Sequence, residues 1–182
     1  MSKIIVVTGA SVGIGAAMLC QLAEEGHQVV GLARRPELIE SMANENPTWK
    51  VDAIKADVTK DSDVIEAFTW IKNNFGKIDV MINNAGCSEM TLLSDGNIDV
   101  WRKMYDLNVF AVGSCIREAL KIISDEGNII NVSSVLGQET FSYPGVAVYS
   151  STKHALKCLT KGLRAELHEK RPGIKVTVLH NT

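Results

Sequence analysis

Lys3-Ile-Ile-Val-Val-Thr-Gly-Ala-Ser-Val-Gly-Ile-Gly15 is the stretch of sequence that decides the fold of this chain. It opens with a continuous β-branched run, which is typical of a strand buried on both faces of a parallel sheet. Apolar residues at helical spacing follow over 13–25 and stop at Gly26, and residues 28–33 indicate a second strand. The start of the chain is therefore predicted to be a β-α-β unit.

The same alternation of strands and helices continues along the rest of the chain. Further helices are predicted over residues 36–44, 62–74, 97–124 and 149–170, and further strands over 50–56, 78–83, 127–133 and 174–179. This pattern predicts an α/β fold: a Rossmann-like, doubly wound parallel sheet of six strands with helices on both faces. No repeat, low-complexity segment or linker divides the sequence, so residues 1–182 are predicted to form a single domain.

Composition narrows the classes of function. The chain has 182 residues, of which 46% are hydrophobic and 22% charged, and its formal net charge is -2. No basic field points to nucleic acid, and no apolar run is long enough to span a membrane, so we expect a cytoplasmic protein. The four cysteines and four histidines are scattered without ligand spacing, which predicts no metal site.

The glycines between the first strand and the first helix indicate an anion site. Gly9, Gly13 and Gly15 stand where a tight turn and close approach of the backbone are needed, and Ser11 and Ile14 lie in the same loop. Main-chain N–H groups of such a loop, together with the helix N-terminus, favour the diphosphate of a dinucleotide. The alternative is a tight turn that binds no ligand.

Two further positions indicate which dinucleotide is bound. Folds of this kind that bind NAD usually carry an acidic residue at the end of the second strand, but this chain has Ala33 there, followed by Arg34 and Arg35. A guanidinium fork suits the 2′-phosphate of NADP(H), although two solvated arginines are the alternative. Asp57, beside Val58, is expected to accept from the adenine amino group, to cap the next helix, or to do both.

Polar residues follow the later strands. Asn83-Asn-Ala-Gly86 ends the fourth strand, where the asparagine amides would link neighbouring strands. The small residues Ala85 and Gly86 would leave space for a cofactor beside Asn84. A simple turn is the alternative. Asn108 lies within a predicted helix although asparagine is a poor helix former, which indicates a local kink that holds a water. Ser134 ends the fifth strand and is the candidate donor to a substrate carbonyl, unless Ser133-Ser134 merely starts a loop.

Tyr149 and Lys153 are four residues apart and so share one helix face. An ammonium near a phenol favours the phenolate, which predicts a lowered Tyr149 pKa and proton exchange with a substrate oxygen near neutral pH. Taken alone, this spacing is more typical of a solvated pair than of a catalytic one.

The conjunction of these motifs resembles the short-chain dehydrogenase/reductase family in order and spacing, over nearly the whole chain. Residues 31–35, 91–94, Trp101 and 162–167 are similar to a branch that contains insect farnesol dehydrogenases and NADP-dependent carbonyl and steroid reductases. The resemblance implies catalysis by Asn108, Ser134, Tyr149 and Lys153. It also implies that NADP(H) is bound by Gly9, Ser11, Gly13, Ile14, Gly15, Arg34, Arg35, Asp57, Val58, Asn84, Ala85, Gly86, Tyr149 and Lys153.

The resemblance also sets expectations for the reaction and the assembly. It implies interconversion of a small apolar alcohol and its carbonyl compound, with Asn108 positioning a water that relays protons to Lys153, and a homodimer or homotetramer. Relatives continue past the sixth strand with a substrate-covering segment, so we interpret the end at Thr182 as a fold shortened before that segment. A catalytically impaired, NADP(H)-binding or regulatory protein is the alternative.

Overall fold

The computed structural model describes residues 1–139 and 143–181, and six strands in this part form one parallel sheet. The order across the sheet is β3-β2-β1-β4-β5-β6, and each neighbouring pair is parallel. The order reverses beside β1, which is where such sheets bind ligands at their carboxyl edge. The predicted fold class is confirmed. The strands are β1 (Ile4–Thr8), β2 (Gln28–Ala33), β3 (Lys50–Lys55), β4 (Ile78–Asn83), β5 (Ile123–Ser134) and β6 (Lys175–Asn181).

Helices cover both faces of the sheet. Leu19 of the first helix and Ile39 of the second pack against one face, while the third, fifth and sixth helices contribute Phe68, Cys115 and Leu156 to the core on the other face. A π-helical turn over Asp106–Phe110 joins the fourth and fifth helices, and a 3-10 turn over Val135–Gly137 follows β5. The helices are α1 (Gly13–Glu24), α2 (Glu37–Glu45), α3 (Asp61–Phe75), α4 (Ile98–Tyr105), α5 (Ala111–Ala119) and α6 (Ala147–Lys170).

The continuous apolar runs of the strands follow from burial on both faces. Successive residues point to opposite sides of a strand, so Val6 joins the core under α3, α5 and α6 while Val7 joins the core under α1 and α2. Both are 0% exposed. The sheet is thus rigidly held, and the loops at its carboxyl edge are presented from a fixed frame.

The prediction of one helix over residues 97–124 was wrong. The π turn interrupts it, α5 ends at Ala119, and β5 already begins at Ile123. Ile123 pairs with Ile78 of β4, and both residues are buried. Apolar spacing alone could not distinguish this β-branched pair of Ile122 and Ile123 from the last turn of a helix.

The predicted start of β5 at residue 127 lies four residues after the observed one, while the other predicted bounds agree with the observed ones to within two residues and those of β2 and β4 coincide with them. Within the described ranges, no helix combines the length and apolar composition needed to cross a bilayer. The same ranges contain no group of three or more His, Cys, Asp and Glu side chains that could hold a metal ion. Thr182, on which the expectation of a shortened fold was based, lies outside the described residues.

Candidate active site

The loop between β1 and α1 is built so that its backbone is accessible. Gly9 and Gly13 adopt φ values of 67° and 60°, which L side chains rarely adopt. A Cβ atom on Gly15 would lie 2.2 Å from the Gly9 carbonyl oxygen and 2.5 Å from Asn84 Nδ2. Val12 precedes α1 without a side-chain cap, and the first turn carries no acidic residue. The N-terminal N–H groups of α1 are therefore suited to an anionic ligand.

A groove of about 680 Å³ runs past this loop along the carboxyl edge of the sheet. It brings together ten of the predicted cofactor residues: Gly9, Ser11, Ile14, Arg34, Arg35, Asp57, Val58, Asn84, Ala85 and Gly86. Gly13, Gly15, Tyr149 and Lys153 do not line it. Of these, Gly15 lies directly behind the Gly9 carbonyl, and Lys153 lies beyond Gly86 at the end of the groove.

The arginines and Asp57 occupy the walls of this groove. Arg34 and Arg35 follow β2 directly, and Asp57 follows β3. The Asp57 carboxylate accepts from Thr59 N at 3.1 Å and Thr59 Oγ1 at 2.7 Å. Burial acts to raise the Asp57 pKa, but the hydrogen bonds from Thr59 and the charges of Arg34 and Lys60 outweigh it and lower the pKa. Asp57 is thus held as an anion.

The alternative role of Asp57 as a cap for the next helix was wrong. Helix α3 begins at Asp61, its N-cap is Lys60, and no side chain caps it. Asp57 instead closes a local turn onto Thr59, two residues ahead, which is a common arrangement for aspartate. The Asp57 carboxylate therefore stabilises the loop that borders the groove.

The asparagines at the end of β4 tie neighbouring strands together as predicted. Asn83 Nδ2 donates to Asn131 Oδ1 at 2.8 Å, which links β4 to β5. Asn84 Nδ2 donates to the Thr8 carbonyl oxygen at 2.9 Å, which links the end of β4 to β1. The Thr8 hydroxyl accepts in turn from the backbone N–H groups of Asn84 and Ala85. These contacts fix the edge at which the groove lies.

The predicted kink at Asn108 is present as the π-helical turn. Asn108 is 1% exposed, and its side chain accepts from Cys87 N at 2.9 Å and donates to Cys87 O at 2.8 Å and Thr152 Oγ1 at 3.0 Å. The Thr152 hydroxyl donates to the Tyr149 carbonyl oxygen at 2.7 Å. One amide therefore joins the segment after β4 to the helix that carries Tyr149. Sequence reasoning missed Cys87 and Thr152, since their backbone and hydroxyl contacts leave no pattern in the sequence.

Lys153 and Tyr149 face the same space. Lys153 is 6% exposed, its Nζ donates to the Val132 carbonyl oxygen at 3.0 Å, and it lies 5.8 Å from the centroid of the Tyr149 ring. Burial lowers the pKa of Lys153. A Cβ on Gly86 would lie 3.7 Å from Lys153 Nζ and 3.1 Å from Asn108 Oδ1, so the bare Gly86 backbone leaves room between these groups.

The prediction that Lys153 lowers the pKa of Tyr149 was wrong in direction. Burial raises the pKa of the half-buried Tyr149 phenol, and a hydrogen bond with Ser134 only partly offsets that rise. Lys153 is not among the groups that shift it. The phenol of the described structure is therefore in its protonated form near neutral pH.

Ser134 stands where the prediction placed it, at the end of β5 and beside Tyr149. Its Oγ accepts from Leu136 N at 3.2 Å, which leaves its hydroxyl hydrogen available to another acceptor. Its carbonyl oxygen accepts from His180 Nδ1 at 3.0 Å. Asn108, Ser134, Tyr149 and Lys153 thus meet at one end of the groove, and this constellation can polarise an oxygen and exchange a proton with it.

Comparison with known proteins matches this architecture over almost its full length. The family model described as short chain dehydrogenase matches residues 3–181. Farnesol dehydrogenase of Aedes aegypti is 41% identical over 182 residues, covering 96% of this chain and 74% of that protein. Dehydrogenase/reductase SDR family member 11 of Homo sapiens is 35% identical, covering 97% of this chain and 71% of the relative.

Solved structures give the same result. A short-chain dehydrogenase from Streptomyces avermitilis aligns with a TM-score of 0.90 at 32% identity, covering 99% of this chain and 65% of that one. A short chain dehydrogenase from Burkholderia cenocepacia in complex with NADP aligns with a TM-score of 0.89 at 30% identity, covering 98% and 73% of the two chains. The chain thus spans under two thirds of the Streptomyces structure. From its fold, its site and these matches, it belongs to the short-chain dehydrogenase/reductase family of oxidoreductases.

Proposed function

We propose that this chain interconverts an alcohol and its ketone or aldehyde with NADP(H), and that Tyr149 is the acid and base of the reaction. The observation that carries the proposal is the meeting of the Tyr149 phenol, the Ser134 hydroxyl and the buried Lys153 ammonium at one end of a dinucleotide-sized groove. Such a set of groups serves proton transfer to or from an oxygen, not hydrolysis, for which no activated nucleophile is evident among these three residues.

The residues present fit the cofactor. The Gly9 and Gly15 backbones lie where any Cβ would clash, so main-chain N–H groups can approach a diphosphate closely. Arg34 and Arg35 line the groove after β2, where their guanidinium groups suit a 2′-phosphate. NADPH, when bound, supplies the hydride for reduction. The bound NADP of the Burkholderia relative is consistent with this choice.

The chain's own residues hydrogen-bond to the substrate oxygen and exchange a proton with it. During reduction, Ser134 donates a hydrogen bond to the carbonyl oxygen, and Tyr149 delivers its proton to the same oxygen as negative charge develops there. The protonated phenol favoured by burial is the form that this step needs. Lys153 holds positive charge beside the ring, and we propose that Asn108 positions a water through which the lost proton is replaced. In oxidation, Tyr149 accepts the proton instead.

We propose an apolar substrate of isoprenoid, retinoid or steroid-like character. A second pocket of about 360 Å³, lined by Met90, Thr91, Leu92, Tyr143, Pro144 and Gly145, is mainly hydrocarbon. Met90 and Tyr143 are 69% and 63% exposed, so their apolar surface is available to a ligand. The mosquito relative carries the name of a farnesol dehydrogenase, which supports the same chemical class.

The test is turnover. The chain is incubated with NADPH and a panel of apolar ketones and aldehydes, or with NADP⁺ and farnesol, and the nicotinamide absorbance is followed. We expect turnover that Tyr149→Phe abolishes. The matched control is Tyr105→Phe, which removes a hydroxyl hydrogen-bonded to Ser151 Oγ at 2.9 Å and should retain activity. NADPH binding without turnover by the wild type would contradict the catalytic proposal and favour a nucleotide-binding protein.

We also propose that the chain assembles as a homodimer or homotetramer through α4, α5 and α6. Phe110 in the π turn is 66% exposed and Leu159 on α6 is 42% exposed, so both present apolar surface. Analytical ultracentrifugation should give a multiple of the chain mass, and Phe110→Glu should shift the protein towards monomer. A wild type that sediments as a monomer at all concentrations contradicts this.

A further inference from the structure

The groove that Arg34 and Arg35 line contains two further cations. Arg102 and Lys103 of α4 line the same groove, and their neighbour Leu107, one helical turn after Lys103, lines it as well. Lysine and leucine four residues apart lie on one face of a helix. Lys103 is therefore directed towards the space that the arginines after β2 border.

Arg34 and Lys103 are close enough for their charges to act on each other. The positive charge of Arg34 works to lower the pKa of Lys103, although hydrogen bonding and the charge of Glu89 dominate and raise it. Both cations also act on Cys87, which lines the same groove and whose pKa burial raises. Two cations thus line a common space, an arrangement that an anion bound to both would stabilise.

The partners of the two α4 cations differ. Arg102 Nη1 is paired at 3.1 Å with Asp99 on the same helix, one turn earlier, and both side chains are more than two thirds exposed. Lys103 Nζ donates to Glu89, and that pair is 61% and 36% exposed. Asp99 lines the groove beside Arg102, so its carboxylate would repel an incoming phosphate. Glu89 is not part of the groove lining, so the carboxylate that pairs with Lys103 lies outside the groove, whereas Asp99 and Asp106, about one helical turn before and after Lys103, line it.

We propose that Lys103 is a second cation for the 2′-phosphate of NADP(H), binding it from α4 while Arg34 binds it from the end of β2. This rests on the proposed function, since it requires that the groove holds the dinucleotide. An ammonium has three N–H donors, so Lys103 can keep its bond to Glu89 and donate to a phosphate oxygen as well. Arg34 and Lys103 would then together determine the preference for NADP over NAD.

In this arrangement, Glu89 lowers the affinity of the groove for the 2′-phosphate of NADPH. Its carboxylate holds Lys103 in place, but it also neutralises part of the positive charge that a phosphate would meet. Replacing Glu89 with glutamine keeps a hydrogen-bond acceptor for Lys103 and removes the negative charge. We therefore expect Glu89→Gln to bind NADPH more tightly than the wild type does.

The experiment compares equilibrium binding of NADPH and NADH, measured by calorimetry at fixed ionic strength, and needs no turnover. Lys103→Gln should raise the Kd for NADPH about fivefold and leave the Kd for NADH within about twofold, as expected for one exposed charge pair. Glu89→Gln should lower the Kd for NADPH about twofold. The matched control is Lys72→Gln on α3, an exposed lysine outside the groove lining, which should change neither constant.

The outcomes distinguish failure of the Lys103 proposal from failure of the proposed function. Equal losses for NADPH and NADH in Lys103→Gln would place Lys103 on the diphosphate that both share and overturn the proposal. An unchanged Kd for NADPH would overturn it too, while leaving the oxidoreductase function intact. If the wild type binds neither dinucleotide, the proposed function fails first, and the role of Lys103 fails with it.

Discussion

Gly15→Ala is the substitution that tests the glycine loop most directly. The added Cβ would lie 2.2 Å from the Gly9 carbonyl oxygen, 2.5 Å from Asn84 Nδ2 and 2.9 Å from the Gly9 carbonyl carbon. Gly9 cannot retreat easily, because its own φ is 67° and its N–H donates to the Leu32 carbonyl oxygen at 2.9 Å. The clash is therefore with backbone that β1 and β2 hold on both sides.

The size of the effect follows from this packing. Inserting one carbon into a site that cannot expand costs about 2–3 kcal/mol. For a domain of this size, that corresponds to a melting temperature lower by about 4–12 °C. The shift of the Gly9 carbonyl would also displace Asn84 and narrow the groove, so we expect NADPH affinity to fall at least about tenfold.

Thermal melts followed by circular dichroism, together with NADPH titration, measure both effects. Gly162→Ala is the matched control, since no atom lies within 4 Å of a Cβ at this helical glycine and its φ is not positive. It should raise stability by about 0.5–1 kcal/mol through the helix propensity of alanine, without changing NADPH binding. If Gly15→Ala has the melting temperature of the wild type and binds NADPH equally well, the loop is not a close-packed cradle.

Three further predictions concern the catalytic end of the groove. Because burial raises the Tyr149 pKa, kcat/KM for reduction should persist through neutral pH and fall only where the phenol ionises. The value of kcat/KM for oxidation should rise as pH increases towards that pKa. Profiles without these opposite slopes would contradict the assignment of Tyr149. Asn108→Leu leaves the N–H and carbonyl groups of Cys87 without their partner and removes the donor to the Thr152 hydroxyl. Chemical denaturation should therefore show a loss of about 2–4 kcal/mol, and an unchanged stability would refute the role of the amide. Lys153→Met should abolish turnover yet raise the free energy of unfolding by about 1 kcal/mol. The folded state lowers the pKa of Lys153 and so binds fewer protons than the unfolded chain, which makes the wild type more stable as pH rises towards 10.5. The variant should not show this gain in stability.

The features that the sequence predicted are those that depend on local chemistry. Continuous β-branched runs identify buried parallel strands, and the carboxyl ends of such strands must share one edge, so motifs that follow β1, β2, β3 and β4 meet there whatever lies between them. This is why ten of the predicted cofactor residues line one groove. Glycines at strand-to-helix turns are equally local, since a positive φ or a missing Cβ is a property of the residue itself.

The features that the sequence could not predict depend on tertiary contacts. The break after Ala119 is decided by the pairing of Ile123 with Ile78, which lies 45 positions earlier in the chain. The pKa of Tyr149 is decided by how deeply the ring is buried, which spacing from Lys153 does not reveal. The cations of α4 escaped notice for a related reason: only the packing of that helix over the groove distinguishes them from a solvated face.

The burial of the Lys153 ammonium supports the proposed catalytic role of this end of the groove. Its ammonium is 6% exposed, its contacts are the Val132 carbonyl oxygen and the face of the Tyr149 ring, and the ion pairs found in the described part of the chain do not include it. Burial of a charge without a carboxylate partner is unfavourable, as the lowered pKa records. An apolar side chain of similar volume would fill the same space at no such cost. The fold keeps the ammonium in place through its contact with β5, and this buried charge supports the proposal that Lys153 acts on an oxygen held between Ser134 and Tyr149.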